Sequence, residues 1–194
     1  MSDNREKLAK LISQQKYSKK SNLDNKFWKM KNNKIYDLQN KDYLNLDNPE
    51  YFDMLNVANT YFKQVFDCFE TEAQILVVKN EDSDVFIKNC IPEIKLKSKN
   101  YKMFVLPQYN TLVNTSVDET WWYKNITKKS IIPFMRIHSH HTFKAYQSKT
   151  DYSTLNSNTL EVVLGKIYNE EFDYVYWLDI YGTDNKKLVF KKSI

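Results

Sequence analysis

The feature that most constrains the fold is a change of hydrophobic period near residue 72. From Tyr51 to Phe69, apolar side chains recur at helical spacing, which predicts an amphipathic helix with a broad buried face. The sequence Asp-Asn-Pro-Glu at 47–50 supplies a capping side chain and a proline for its first turn. The sequence Ile-Leu-Val-Val at 75–78 is a continuous apolar run, typical of a strand buried on both faces. The chain therefore combines a long helix with a buried sheet.

The rest of the chain favours strands over helices. Further strands are predicted at 84–88, 101–106, 131–138, 160–167, 172–181 and 187–190, and a second helix is predicted after residue 150. One early helix followed by many strands indicates an α+β fold with α/β/α layers. Because the sequence holds only two glycines, few positions permit a positive φ or a close backbone approach.

Charge divides the chain into two parts. Residues 1–46 hold eleven Lys and Arg against five Asp and Glu, whereas residues 47–194 hold eighteen against nineteen. We therefore separate a basic N-terminal segment, 1–46, helical or extended, from a main domain, 47–194. The excess positive charge is explained either by a solvated helix or by an arm that contacts nucleic acid or an acidic partner.

Hydropathy and cysteine usage predict a cytoplasmic protein. The sequence contains no run of 18 apolar residues and is polar from Ser2 onward, so neither a membrane span nor a secretory signal is expected. Cys68 and Cys90 are far apart and form no Cys-x-x-Cys pair, which favours two reduced, buried thiols over a disulfide.

All three histidines lie together in the sequence His138-Ser139-His140-His141. If the strand predicted at 131–138 stays extended, His138 and His140 project from the same face, about 6.6 Å apart along the backbone. Two neutral imidazoles at this spacing can converge on one metal ion. By the same alternation His141 leaves that face, which makes it a neighbour of the site or a surface residue rather than a fourth ligand.

A carboxylate downstream can complete a metal site. Asp151 lies eleven residues beyond His140, at the start of the helix predicted after residue 150. Three protein ligands leave the fourth tetrahedral position of zinc for water, which is the arrangement of a catalytic rather than a structural site. The sequence therefore predicts Zn²⁺ held by His138, His140 and Asp151.

The spacing resembles a known signature. The pair His138-x-His140, followed after seven residues by Ser148-x-x-Asp151, is similar to the motif of the JAMM/MPN-type metallopeptidases, which are built on the JAB domain. The resemblance covers roughly residues 50–190 and implies a JAB/MPN-like mixed sheet flanked by helices. The family proline after the second histidine is His141 here, and the sequence His-Thr-Phe at 141–143 resembles JAB-like proteins of phages and bacteria.

The same resemblance implies roles for individual residues. The ligands of Zn²⁺ would be His138, His140 and Asp151, and Ser148 would hydrogen-bond the developing oxyanion. Glu72 lies between the helix and the apolar run, sixty-six residues before His138, and matches the family's general base; Glu70 is the alternative. Ser148 has a second reading as the cap of the following helix.

The implied activity is zinc-dependent hydrolysis of a peptide or isopeptide amide. The implied substrate is a protein or peptide, such as a ubiquitin-like conjugate or a phage protein that is processed. The alternative is a catalytically silent JAB-fold module for binding or virion assembly. A phage-encoded protein would then be virion-associated rather than cytoplasmic.

Overall fold

The structure is a computed structural model that describes residues 26–32, 34–148, 158–178 and 188–192. In chain order the elements are β1 (Trp28–Lys31), β2 (Lys34–Asp37), β3 (Asp42–Tyr43), α1 (Pro49–Phe69), β4 (Gln74–Lys79), α2 (Asp84–Lys88), β5 (Glu93–Ile94), β6 (Tyr101–Val105), β7 (Gln108–Asn110), β8 (Thr115–Val117), α3 (Glu119–Trp122), β9 (Met135–Ser139), β10 (Leu160–Gly165), β11 (Asp173–Leu178) and β12 (Leu188–Lys192). The predicted α+β class is confirmed.

The long helix begins and ends where the sequence indicates. Asn48 caps α1, and its side chain accepts a hydrogen bond from the backbone N–H of Glu50. The buried side of α1 includes Met54, Leu55, Ala58 and Phe62. Phe52 and Phe69 fit the predicted buried stripe but are exposed, because the buried face is narrower than the apolar pattern.

The main sheet has seven strands in the order β12-β11-β10-β9-β4-β6-β5. Strand β9 lies inside it, antiparallel to β4 and parallel to β10. Side chains of β9 alternate between the two faces: Met135 and Ile137 enter the main core, in which α1 also packs. His138 therefore lies on the opposite face.

That opposite face carries a second hydrophobic cluster toward the far end of β4. Leu76 and Val78 of β4 and Phe104 of β6 pack there with Val85 and Phe86 of α2. Helices thus lie on both faces of the sheet, which gives the α/β/α layers that the sequence predicts.

The N-terminal strands form a separate sheet of three, in the order β1-β2-β3. Phe27, Trp28 and Ile35 from this part of the chain are buried in the main core. The Trp28 ring stacks on Phe134, with ring centroids 5.0 Å apart. Of the predicted basic segment, the structure describes residues 26–32 and 34–46.

Two further predictions were wrong. Residues 84–88 form the helix α2 rather than a strand, because Val85 and Phe86 face one cluster from a single helical turn. Cys68 and Cys90 are free, as predicted, but both are exposed rather than buried. The helix predicted after residue 150 begins outside the described residues. Among those that are described, no helix combines the length and the apolar character needed to cross a membrane.

Candidate metal centre

The His138 side chain is positioned by a strand that is paired on both sides. His138 lies opposite Gln74 of β4 and opposite Val163 of β10. His140 follows the end of β9, and its backbone N–H donates to the carbonyl of Leu164, 2.8 Å away. Pairing on both sides fixes the backbone from which the two imidazoles project.

The two imidazoles fit a shared metal ion. The rings of His138 and His140 have centroids 5.2 Å apart, and each residue is only 5% exposed. With Zn–N bonds of about 2.0–2.1 Å, each ring centre lies roughly 3.2 Å from the metal, so two tetrahedral ligands have centres about 5.2 Å apart. Nitrogen ligands of this type suit zinc. The pair therefore has the spacing and the chemistry of a zinc half-site.

Glu72 lies across the sheet from this pair. The backbone N–H of Ser139 donates to the carbonyl of Ala73 at 3.1 Å, which extends the β4–β9 pairing by one residue beyond Gln74 and His138. The same register puts Glu72 opposite His140, on the face that carries His138. Glu72 is 9% exposed.

Glu70, the alternative general base, occupies a different position. It follows the last residue of α1 with a left-handed φ of 52°, and its backbone N–H donates to the carbonyl of Phe66. Its side chain is exposed. Glu70 therefore ends the helix, whereas Glu72 lies on the face of the sheet that carries His138.

His141 is buried beside the pair rather than on the surface. Its φ of 50° turns the chain at this point. The Nε2 atom lies 2.6 Å from the Leu112 carbonyl, to which it donates, and 3.9 Å from Oε1 of Glu72. Burial lowers the pKa of the His141 imidazole, and the hydrogen bond to Leu112 acts in the opposite direction. His141 thus contacts the hairpin of β7 and β8 next to Glu72.

The remaining predicted residues are described only in part. Ser148 is half-buried. Asp151, the predicted third ligand, lies outside the described residues. In residues 26–32, 34–148, 158–178 and 188–192, no three His, Cys, Asp or Glu side chains come together in a group that could hold a metal ion. Strand register thus places His138, His140 and Glu72 on the same face of the sheet, whereas Asp151 lies outside the described residues.

An ion pair on this face escaped the sequence analysis. Arg136 precedes His138 by two residues on β9, and its Nε donates to Oε2 of Glu161 at 2.7 Å. Both side chains are nearly buried. Glu161 lies opposite Trp177 of β11, whose ring meets the His138 ring edge-to-face at 6.5 Å. Two features of the sequence could have indicated this pair. Arg136 is two residues before His138 and so shares its face of the strand, and Glu161 is a carboxylate within an otherwise apolar strand.

No family model matches this chain, and no curated protein matches its sequence.

Proposed function

We propose that this protein is a zinc-dependent peptidase or isopeptidase of the JAMM type, from a prokaryotic or phage branch of the JAB-domain proteins. The observation that carries the proposal is the pair of buried imidazoles, 5.2 Å apart. The sequence motif that joins them to Ser148 and Asp151 adds to this support, as does the register of Glu72 opposite His140.

The residues have separate roles in the proposed reaction. His138, His140 and Asp151 would hold Zn²⁺, which supplies Lewis acidity and brings the pKa of a bound water to about 7. Glu72 would accept a proton from the attacking water and deliver it to the leaving amine. The Ser148 hydroxyl would donate to the oxygen that gains negative charge, and such a donor accounts for about 100- to 1000-fold in rate.

The environment of Glu72 suits a general base. The side chain is mostly shielded from solvent. The His141 imidazole, 3.9 Å from the Glu72 carboxylate, donates its Nε2 proton to the carbonyl of Leu112. Burial also lowers the pKa of His141 and so favours a neutral ring there. A neutral His141 adds no positive charge at this contact, and a nearby positive charge would make a carboxylate a weaker base.

The substrate class follows from the proposed reaction. Hydrolysis of an amide requires a carbonyl that can approach the metal and an amine that can leave. We propose a peptide or isopeptide bond, in a ubiquitin-like conjugate or in a phage protein that is processed during assembly.

Metal content tests the first half of the proposal. Purified protein should contain one zinc ion per chain, and His138→Ala combined with His140→Ala should contain almost none. His141→Gln is the matched control, because its amide can donate to Leu112 as the imidazole does. Equal zinc in the wild type and the double variant would refute the ligand assignment.

Glu72→Gln tests the second half. This change preserves the size of the side chain and removes the base, so zinc should remain while hydrolysis falls by about 100- to 10,000-fold. Glu70→Gln is the control and should retain activity. Suitable substrates are ubiquitin-like fusions and peptide libraries, screened first with the wild type. If the wild type contained its full zinc but cleaved no substrate, the protein would instead be a catalytically silent binding module that the metal stabilises.

A further inference from the structure

The outer face of the N-terminal sheet carries only basic and aromatic side chains among its strand residues. Lys29 and Lys31 of β1, Lys34 and Tyr36 of β2, and Tyr43 of β3 share this face, which we call the Lys/Tyr face. The register pairs Lys29 with Tyr36, Lys31 with Lys34, and Tyr36 with Tyr43. The three lysines are exposed and the two tyrosines half-buried.

Acidic and apolar residues of the same strands lie on the other face. Trp28, Ile35 and Asp37 are buried against the body of the protein. Asp42 pairs with Asp37 and so shares its side of the sheet. Strand alternation thus sorts the charges, leaving three ammonium groups and no carboxylate on the Lys/Tyr face.

The lysines converge on the rings. The Nζ atoms of Lys29 and Lys31 each lie 4.9 Å from the centroid of Tyr36, and that of Lys34 lies 5.6 Å from the centroid of Tyr43. Like charges directly opposite each other across two strands, as Lys31 and Lys34 are, repel. Across the described ranges, no carboxylate forms an ion pair with these three lysines. A bound polyanion would relieve this repulsion.

We propose that the Lys/Tyr face binds single-stranded nucleic acid, with phosphates on the lysines and bases against Tyr36 and Tyr43. Single strands are bound by positive charge along the backbone together with aromatic rings on which bases stack. The bases of a duplex are stacked inside it and cannot reach the tyrosine rings, and an acidic peptide offers no bases to stack on them. Lysines together with tyrosine rings therefore favour a single strand. The basic character of residues 1–46 extends this attraction. This binding is separate from the proposed hydrolysis.

The binding is measured by fluorescence anisotropy on the full chain with labelled oligothymidylate or oligouridylate. Because each phosphate contact contributes about −0.7 to the slope of log K against log salt, three lysines predict a slope near −2 or steeper. Replacing Lys29, Lys31 and Lys34 by Gln should remove about 2 from that slope and weaken binding roughly 100-fold at about 0.1 M salt.

A matched control separates this face from overall charge. Lys95, Lys97 and Lys99 are also three exposed lysines at alternate positions, so their change to Gln removes the same charge. That variant should lose no more than about threefold in affinity. Tyr36→Leu should lose roughly five- to 150-fold, whereas Tyr36→Phe, which keeps the ring, should bind as the wild type does.

Several outcomes would overturn the proposal. Equal losses of oligonucleotide affinity in the two triple-lysine variants would show that binding depends only on the net charge of the protein. Equal affinity for duplex DNA, or equal binding by Tyr36→Leu and the wild type, would remove the role of the rings. Failure of the wild type to bind either oligonucleotide would refute it outright. Tighter binding of polyglutamate or of phosphatidylserine vesicles, lost in the first triple variant, would assign the face to a different partner.

Discussion

Gly165 lies where two segments of backbone come into close contact beside the candidate metal centre. It is the last residue of β10, and a Cβ atom built there would lie 2.2 Å from the backbone nitrogen of Ala145. The same atom would lie 2.5 Å from the carbonyl oxygen of Phe143. These atoms belong to the segment that leaves His140, so Gly165→Ala tests how tightly that segment is held.

The magnitude follows from the overlap. Ordinary van der Waals contact begins at 3.4 Å, so the Ala145 nitrogen would have to move by about 1 Å. The atoms in the way are backbone and cannot rotate aside, which sets the overpacking cost at about 3 kcal/mol. The shift also strains the hydrogen bond that the Ala145 N–H donates to Asp173, worth about 1 kcal/mol. The melting temperature should fall by roughly 6–16 °C for a chain of this length.

Urea unfolding and zinc titration together give the readout. Gly165→Ala should lose stability, and it should also weaken zinc binding at the proposed site, because the displaced segment begins at His140. Leu164→Ala is the control: its buried side chain points to the other face, so it should lose about 2–5 kcal/mol of stability and keep its zinc affinity. A free energy of unfolding for Gly165→Ala within about 1 kcal/mol of the wild-type value would contradict this close backbone contact.

Three further predictions concern stability. Glu70→Gly should raise the free energy of unfolding by about 1 kcal/mol, because glycine adopts the left-handed φ at this helix end without strain; an unchanged urea midpoint would contradict this. Tyr51→Phe should cost about 2 kcal/mol, because the buried Tyr51 hydroxyl donates to Asp37 at 2.5 Å. Burial, and then this hydrogen bond, raise the pKa of Tyr51, so its contribution is complete below about pH 10 and is lost as the pH rises further; the Phe variant should lack that loss. Glu161→Gln should cost about 3 kcal/mol, since it removes the negative charge that faces Arg136 in this nearly buried ion pair; a loss below about 1 kcal/mol would mean that water reaches the pair.

The features that the sequence predicted correctly are local ones. The cap at Asn48 and the apolar run at 75–78 determine α1 and β4 from adjacent residues alone. The strand predicted at 84–88 was wrong because local sequence does not determine this element. A run of three apolar residues fits a strand or one helical turn equally well, and packing against residues distant in sequence selects the helix.

In the candidate site, too, the features predicted correctly are local, and the features missed depend on contacts between distant parts of the chain. Strand parity predicted that His138 and His140 share a face, since it needs only the alternation along one strand. The pairing of Arg136 with Glu161 depends on β9 lying beside β10, a contact between residues that are far apart in sequence. The left-handed φ at His141, which directs this side chain toward Leu112, is set by the surrounding turn and is uncommon for residues other than glycine.

The distribution of polar residues along β4 argues that the polar end of this face serves a function. Leu76 and Val78 point to the same side as Gln74, and they meet a hydrophobic cluster at the far end of the strand. A sheet selected only for stability could continue that cluster to the end where β9 carries its histidines. Instead the chain buries Glu72 and His138 there, and burial of such polar groups costs free energy that their partners must offset. A metal ion bound by the imidazoles, as proposed, would contribute to that offset, so removal of the proposed zinc should destabilise this end of the sheet first.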